Sequence, residues 1–321
     1  MYQAAQPTPE QRHAWRSAVT SLLSVDGNCS ALTVPPALEE IYSFHTFPAG
    51  GSQKTYCVLI ERSVDSKGWG SVIVPESKAT VTYTLHLSAP HPHYDLGTVE
   101  QAGALFELVG AKSLLIAGRT RTALMKPSQC IIPKGSQPYY VTDPAHNNLE
   151  PFFDAAVAIY EWQHAQSTGC PSSSCAFIQM HGKGCKTCPS DQVFMSSGLI
   201  GNNSWYTSST DYPIKRLKHN LQHALPPKWT ISLPSDSKCG LTATTNVVGR
   251  YINGIPESKV CSSSPAPSQV TGEFIHIEQA PSSRSREVYE PWARALRATF
   301  QPNTHFSWAA PLALDPSMSM N

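Results

Sequence analysis

The chain changes rhythm several times along its length, and each change predicts an element. Residues 8–24 and 36–44 read as helices, with Pro9 and Pro36 near their starts, where a helix tolerates a missing N–H. Residues 56–61 and 69–74 run apolar or alternate, with β-branched side chains, as strands do. From residue 79 the order becomes strand, loop, helix, strand. ATVTYTLHLSAP is a Thr- and Val-rich strand that stops at Pro90, TVEQAGALFELVGA has helical spacing through Ala102, Leu105, Phe106 and Val109, and KSLLIAG is a short buried strand. Residues 149–166 form a second amphipathic helix. CAFIQMHG, VFMSSG, TATTNVVG and EFIHIEQ are further strands, each ending in a polar or glycine-containing loop, and a final helix covers 284–299.

Strands alternating with helices in this way predict an α/β fold, a three-layer α/β/α sandwich with a mainly parallel or mixed central sheet. Ligands of such sheets collect beyond the carboxyl ends of the strands. No Pro/Ser-rich stretch is long enough to mark a domain boundary, and no internal repeat is present. One domain over 1–321 is expected, with an N-terminal α+β segment (1–78), a core that carries the site (79–300) and a C-terminal tail (301–321).

Composition narrows the function classes. Hydrophobic residues at 40% and charged residues at 15% are enough for a sizeable core. A formal net charge of +1 without a long Lys/Arg block lacks the electrostatic footprint of nucleic-acid binding. The longest apolar runs fall far short of the roughly 20 residues that span a bilayer. Nine cysteines point to oxidised loops and export. Pairing at short range is expected, Cys170 with Cys175, Cys185 with Cys188 and Cys239 with Cys261, which leaves one of Cys29, Cys57 and Cys130 unpaired. The CxxC of Cys185 and Cys188 also has the spacing of a structural zinc site, but no second CxxC completes it. The sequons Asn28-Cys29-Ser30 and Asn202-Asn203-Ser204 fit a secreted glycoprotein. The first residues, MYQAAQPTPEQ, lack a charged n-region before an apolar h-region, so a signal peptide is expected to have been removed.

Three strand ends carry the chemistry. Ser88-Ala-Pro-His91-Pro-His93-Tyr-Asp95-Leu-Gly97-Thr98 leaves a strand and opens a helix, and it offers imidazoles and a carboxylate of the kind zinc prefers. Asp95 or Thr98 also suits a plain helix cap. His181 ends the strand Phe177-Ile-Gln-Met-His181, and Glu278 ends Glu273-Phe-Ile-His276-Ile-Glu278, where alternation puts Phe274, His276 and Glu278 on one face. Together the three strand ends offer His and Asp, His, and Glu, which is the pattern one catalytic zinc requires: three protein ligands, an open position, and a carboxylate nearby to take a proton. His93 is a second choice of ligand, because in an extended loop His91, His93 and Asp95 face the same side. Arg119 follows KSLLIAG and is placed at the crevice rim, with Arg121 behind it, to grip a carboxylate or an oxyanion. Pairing with a structural acid such as Asp143 is the plainer reading. Asp143-Pro-Ala-His146-Asn147 is either a capping turn or a source of substrate contacts through His146. No GxSxG elbow, P-loop or GxGxxG is present.

HPHYDLGT, followed by a helix and GAKSLLIAGRTR, resembles the zinc amidohydrolases of the carboxypeptidase-like group, among them N-formylglutamate amidohydrolase and poly-γ-glutamate hydrolase. The resemblance covers roughly residues 80 to 290 and is one of motif order; the His91-to-Asp95 spacing of four, with Asp for Glu, departs from the HxxE of metallocarboxypeptidases. It implies the zinc carboxypeptidase/phosphorylase-hydrolase type of fold, with His91 and Asp95 as the loop ligands, His181 as the later one and Glu278 as general base. It also implies that Thr244-Thr-Asn246-Val-Val-Gly-Arg250 is the segment whose Asn246 and Arg250 hold a substrate carboxylate. The expected protein is a secreted zinc hydrolase of an amide or peptide bond, acting on a small-molecule or peptide substrate. The alternatives are a secreted binding or effector protein on the same fold without turnover, and a zinc esterase or deacetylase.

Overall fold

Thr8 opens the first long helix with a reciprocal cap: its hydroxyl accepts from the Gln11 N–H, and the Gln11 side chain accepts from the Thr8 N–H. The helix α2 (Pro9–Ser24) follows a single turn, α1 (Tyr2–Ala5), and buries Trp15, Val19, Leu22 and Leu23. The computed structural model describes residues 2–50, 54–63, 66–133, 137–201 and 203–303. Asn202 of the second sequon, and residues 304–321 of the expected tail, lie outside the described residues.

The described strands are β1 (Tyr42–Pro48), β2 (Thr55–Glu61), β3 (Ser71–Pro75), β4 (Tyr83–Ala89), β5 (Ala111–Ile116), β6 (Cys175–Gly182), β7 (Val193–Ser196), β8 (Ile231–Ser232) and β9 (Phe274–Gln279). They form one mixed sheet in the order β1-β2-β3-β5-β4-β6-β9-β7-β8. The centre, β5-β4-β6-β9, is parallel, whereas β1, β2 and β3 extend one side antiparallel and β7 lies antiparallel to β9. Alternation along β6 sorts its side chains between two cores. Ala176, Ile178 and Met180 join the core with α3 (Thr98–Val109), α5 (Pro213–Ala224) and α7 (Tyr289–Thr299). Cys175 and Phe177 join the core with α2, α4 (Pro151–His164) and α6 (Val247–Ile252). Gln179 and His181 continue that second face to the carboxyl end of the strand, where apolar packing gives way to a polar cluster. No helix among the described residues is long and apolar enough to cross a membrane.

Three sequence expectations are corrected. Residues 36–44 are not a helix: after the 3-10 turn Pro36–Leu38 the chain enters β1, pairing with β2 from Tyr42↔Glu61 to Pro48↔Thr55. Tyr42 decides this locally, because its ring packs between Trp15 and Trp69 and its hydroxyl donates to the Gly70 carbonyl at 2.9 Å. TATTNVVG is not a strand despite its β-branched residues. Asn246 caps α6 by accepting from the Gly249 N–H at 2.9 Å, and a Cβ at Gly249 would meet the Phe274 ring at 2.4 Å. The final helix proper starts at Tyr289, after 3-10 turns. The amphipathic α5, which buries Ile214, Leu217 and Leu221, was not foreseen.

The cysteines also pair differently. Cys170–Cys175 forms as expected, but Cys29 joins Cys57, Cys130 joins Cys261 across 131 residues, and Cys188 joins Cys239 across 51. Cys185 is the free thiol and is exposed. Neighbourhood in sequence misleads for Cys188, Cys239 and Cys261 because loops that are distant along the chain meet at the cavity wall, whereas Cys29 and Cys57 meet in the core beside α2. Titration of the folded protein with a thiol reagent should therefore count one reactive group, abolished by Cys185→Ser, whereas Cys130→Ser should add a second by freeing Cys261; two or more groups in the wild type would contradict this pairing.

Lys112 on β5 is a buried cation that no carboxylate among the described residues meets at ion-pair distance. Its ammonium donates to the Leu23 carbonyl in the last turn of α2 at 2.7 Å and lies 4.7 Å from the Trp162 ring centre. Burial, then the charge of Lys78, pushes its pKa down to about 8. Between that value and the ordinary lysine value the unfolded chain binds more protons, so the stability contribution rises with pH across the window. The stability difference between wild type and Lys112→Met in urea unfolding should shift towards wild type, by on the order of 3 kcal/mol, from pH 8 to above pH 10. A pH-independent difference would contradict it.

Candidate metal centre

The first ligand loop is a turn rather than an extended segment. The Tyr94 and Asp95 N–H groups both donate to the His91 carbonyl, at 3.3 and 2.9 Å, and this one-turn geometry brings residues four apart onto one side. His93, in the left-handed region at φ 61°, is thrown outward and exposed, so it does not join His91 and Asp95. Thr98 ties the exit of the turn by donating its hydroxyl to the Asp95 carbonyl at 2.7 Å. Gly97, not Asp95, occupies the cap position of α3, which leaves the Asp95 carboxylate free to face the imidazoles.

His181 reaches the same point from the end of β6. Asp95 Oδ2 lies 3.1 Å from His91 Nδ1 and 3.5 Å from His181 Nδ1, and the two Nδ1 atoms are 3.2 Å apart. All three side chains are buried. Ligand atoms about 2.0–2.1 Å from a tetrahedral zinc stand roughly 3.3 Å from one another, so the triangle has the size of a zinc face.

The outer ring nitrogens set the tautomers. His91 Nε2 lies 3.2 Å from Asp143 Oδ1, and His181 Nε2 lies 2.8 Å from Gln179 Oε1. Both partners are acceptors, so each Nε2 carries the hydrogen and each Nδ1 presents a lone pair inward. Two lone pairs and a carboxylate oxygen then converge, and a cation or a proton is needed between them. His181, whose pKa burial pushes down to about 4, does not readily take that proton. His91 is the more basic, because against burial and the charge of Arg121 the carboxylates of Asp143 and Asp95 together raise its pKa. Burial raises the Asp95 carboxyl, but the facing His181 and His91 rings outweigh it and hold its pKa well below the usual carboxylate range. The chemistry of this donor set, hard oxygen with two imidazole nitrogens, fits zinc.

Asp143 orders the surroundings. Besides His91 it is bonded to Arg121 and accepts from the Ala145 N–H at 3.1 Å, while His146 Nδ1 stands 3.1 Å from its Oδ1 without hydrogen-bond alignment. Gln179 Oε1 accepts a second bond, from Asn246 Nδ2 at 2.5 Å, so Asn246 supports His181 at one remove. Glu278 is the parallel-strand neighbour of His181, and burial, then the charge of Asp95, pushes its pKa up to about 8. His276 stands on the same face, its ring 4.4 Å from that of His181 and its Nε2 3.6 Å from Glu278 Oε1.

His91, Asp95, His181, His276 and Glu278 line the floor of a cavity of about 1260 Å³, whose walls include Arg121, Tyr139, His146, Lys183, Asn246 and Arg250. Two disulfides, Cys130–Cys261 and Cys188–Cys239, hold loops of that wall. Arg119 is not brought in: it is turned away into an ion pair with Glu150 at 2.8 Å and packs over Tyr2. Asn246 and Arg250 do face the cavity with most donors committed, Arg250 to the carbonyls of Thr244, Val260 and Cys261 and to the Ser264 hydroxyl. Gln179 and Lys183 were not singled out from sequence, and Arg121 and Asp143 were named only as the residue behind Arg119 and as a structural acid or capping turn. For Gln179 and Lys183 the signal was available, since positions 179, 181 and 183 share one face of an extending strand.

No family model matches the chain, and no curated protein sequence matches it. Among solved structures it is similar to a gene product of Agrobacterium tumefaciens (13% identity, TM-score 0.39, 68% of this chain and 91% of that one). It is also similar to a succinylglutamate desuccinylase from Vibrio parahaemolyticus (12%, 0.36, 87% and 80%). A third similarity is to a protein provisionally described as a carboxypeptidase A from Shewanella denitrificans (14%, 0.35, 81% and 65%). Likeness at this level leaves any functional assignment to the residues of the site.

If Asp143 orients His91, then Asp143→Asn should weaken zinc binding by about 10- to 100-fold while the variant stays folded by circular dichroism. Unchanged zinc affinity in a competition titration with a chromophoric chelator would contradict that role.

Proposed function

We propose that the protein is a zinc-dependent hydrolase of an amide or peptide bond in a carboxylate-bearing substrate, with His91, Asp95 and His181 holding one zinc per chain. The observation that carries this reading is the convergence of His91 Nδ1, His181 Nδ1 and Asp95 Oδ2 within 3.1–3.5 Å at the floor of an open cavity, with the outer nitrogens of both rings tied to acceptors. Bound there, zinc would supply Lewis acidity to a carbonyl and bring the pKa of a water towards about 7.

The chain's own groups then have distinct tasks. Glu278, beside His181 and within the cavity, accepts the proton of the attacking water and delivers it to the leaving amine. Arg121, held by Asp143 and stacked 5.2 Å over the Tyr94 ring, takes the oxyanion-facing role first expected of Arg119. Arg250 faces the substrate carboxylate, with His146 beside it stacked on Tyr139. The four disulfides agree with a secreted protein. A carboxylate placed to move a proton favours turnover over a pure binding role.

Glu278→Gln keeps the shape of the side chain and removes the proton acceptor. It should retain zinc and lose on the order of 10²- to 10⁴-fold in kcat on N-acyl amino acid or peptide substrates. A zinc-loaded Glu278→Gln protein with wild-type kcat would refute the mechanism.

A further inference from the structure

Several arginines of the fold meet a carboxylate: Arg12 and Arg16 pair with Asp154, Arg119 with Glu150, Arg121 with Asp143. Lys183 departs from this pattern. It is 5% exposed, it lines the cavity two residues beyond His181, and among the described residues no carboxylate lies within ion-pair distance of it. Its ammonium donates to the Thr187 and Cys188 carbonyls, both at 3.0 Å. Three N–H groups less two bonds leave one, on a side chain that faces the cavity. The acids whose charge reaches it, Asp191 and Glu278, lie beyond ion-pair distance, and Asp191 is occupied by the hydroxyls of Ser190, Ser232 and Ser237.

A second cation stands beside it. Arg284 is 8% exposed and donates only to carbonyls, to Leu96 O at 2.6 Å and Lys183 O at 3.5 Å, and its Nε has no partner. This corner therefore holds two buried positive charges that no carboxylate among the described residues meets at ion-pair distance, with Glu278 acting on both, and Asp95 on Arg284, from further away. Arg250 stands in a different wall, formed by Thr244, Val260 and Cys261. Buried charges are normally paired, and a lysine held only by neutral carbonyls at a cavity surface is poised for an anion supplied from outside.

We infer that Lys183 anchors a second anionic group of the substrate, distinct from the carboxylate that faces Arg250, so that the preferred substrate is at least a dianion. That the bound anion is a substrate rests on the hydrolase reading, whereas the anion subsite does not. The Thr187 and Cys188 carbonyls fix the ammonium in place, and the Cys188–Cys239 disulfide holds the loop that carries them.

The test compares glutarate with butyrate, similar in chain length and differing by one carboxylate, in calorimetric titrations of the zinc-loaded protein. Wild type should bind glutarate on the order of tenfold more tightly than butyrate. Lys183→Gln, which keeps an N–H donor for the loop carbonyls, should bring glutarate down to the butyrate level, and Lys183→Arg should restore part of the preference. Equal binding of both by wild type, or a glutarate preference that survives Lys183→Gln, overturns the subsite. Hydrolysis of N-glutaryl and N-butyryl amides separates the two claims. Lys183-dependent glutarate binding without cleavage of either amide sinks the hydrolase reading and keeps the subsite, and cleavage of both at equal kcat/KM, unaffected by Lys183→Gln, does the reverse.

Discussion

Two imidazole lone pairs that meet 3.2 Å apart beside a carboxylate oxygen repel one another unless a positive charge lies between them. The rest of the site is arranged to enforce that meeting. The turn at His91 brings residues four apart onto one side, the parallel register of β6 with β9 sets His181 beside Glu278, and Asp143 and Gln179 hold the outer nitrogens. Each constraint is cheap to satisfy in the fold and expensive to break, because every partner is itself buried and bonded.

That arrangement explains why one face of the sheet changes character along its strands. Towards the amino ends of β6 and β9 it carries Phe177 and Phe274, which pack in the core under α4 and α6. Towards the carboxyl ends it carries Gln179, His276, His181 and Glu278. Apolar packing at one end supplies the rigidity, and polar side chains at the other are positioned by it. Two of the disulfides, Cys130–Cys261 and Cys188–Cys239, tie loops of the cavity wall to one another.

Much of this was legible in the sequence. Strand ends bearing His91, Asp95, His181 and Glu278 could be read from alternation and from the halt at Pro90, since a strand of period two commits every second side chain to one face. What could not be read depends on turns. His93 and Asp95 are equivalent in an extended loop and opposite in the turn that forms. Arg119 and Arg121 differ only in which way the chain bends after β5, and the bend sends Arg119 to Glu150 and Arg121 to the cavity. The stretch at 243–250 carries strand-forming residues, yet the Asn246 cap and the close seat of Gly249 on Phe274 make it a helix. Disulfide partners are a property of the assembled edge, not of local spacing, which is why Cys188 skips Cys185 for Cys239.

The most direct test of the central claim is X-ray absorption at the zinc edge of protein loaded with one equivalent of zinc, with metal content measured after dialysis. The account predicts about one tightly held zinc per chain, a first shell of nitrogen and oxygen near 2.0–2.1 Å with imidazole scattering, and loss of that zinc in His91→Ala and His181→Ala. Zinc that dialyses away, or a shell containing sulfur, would contradict it.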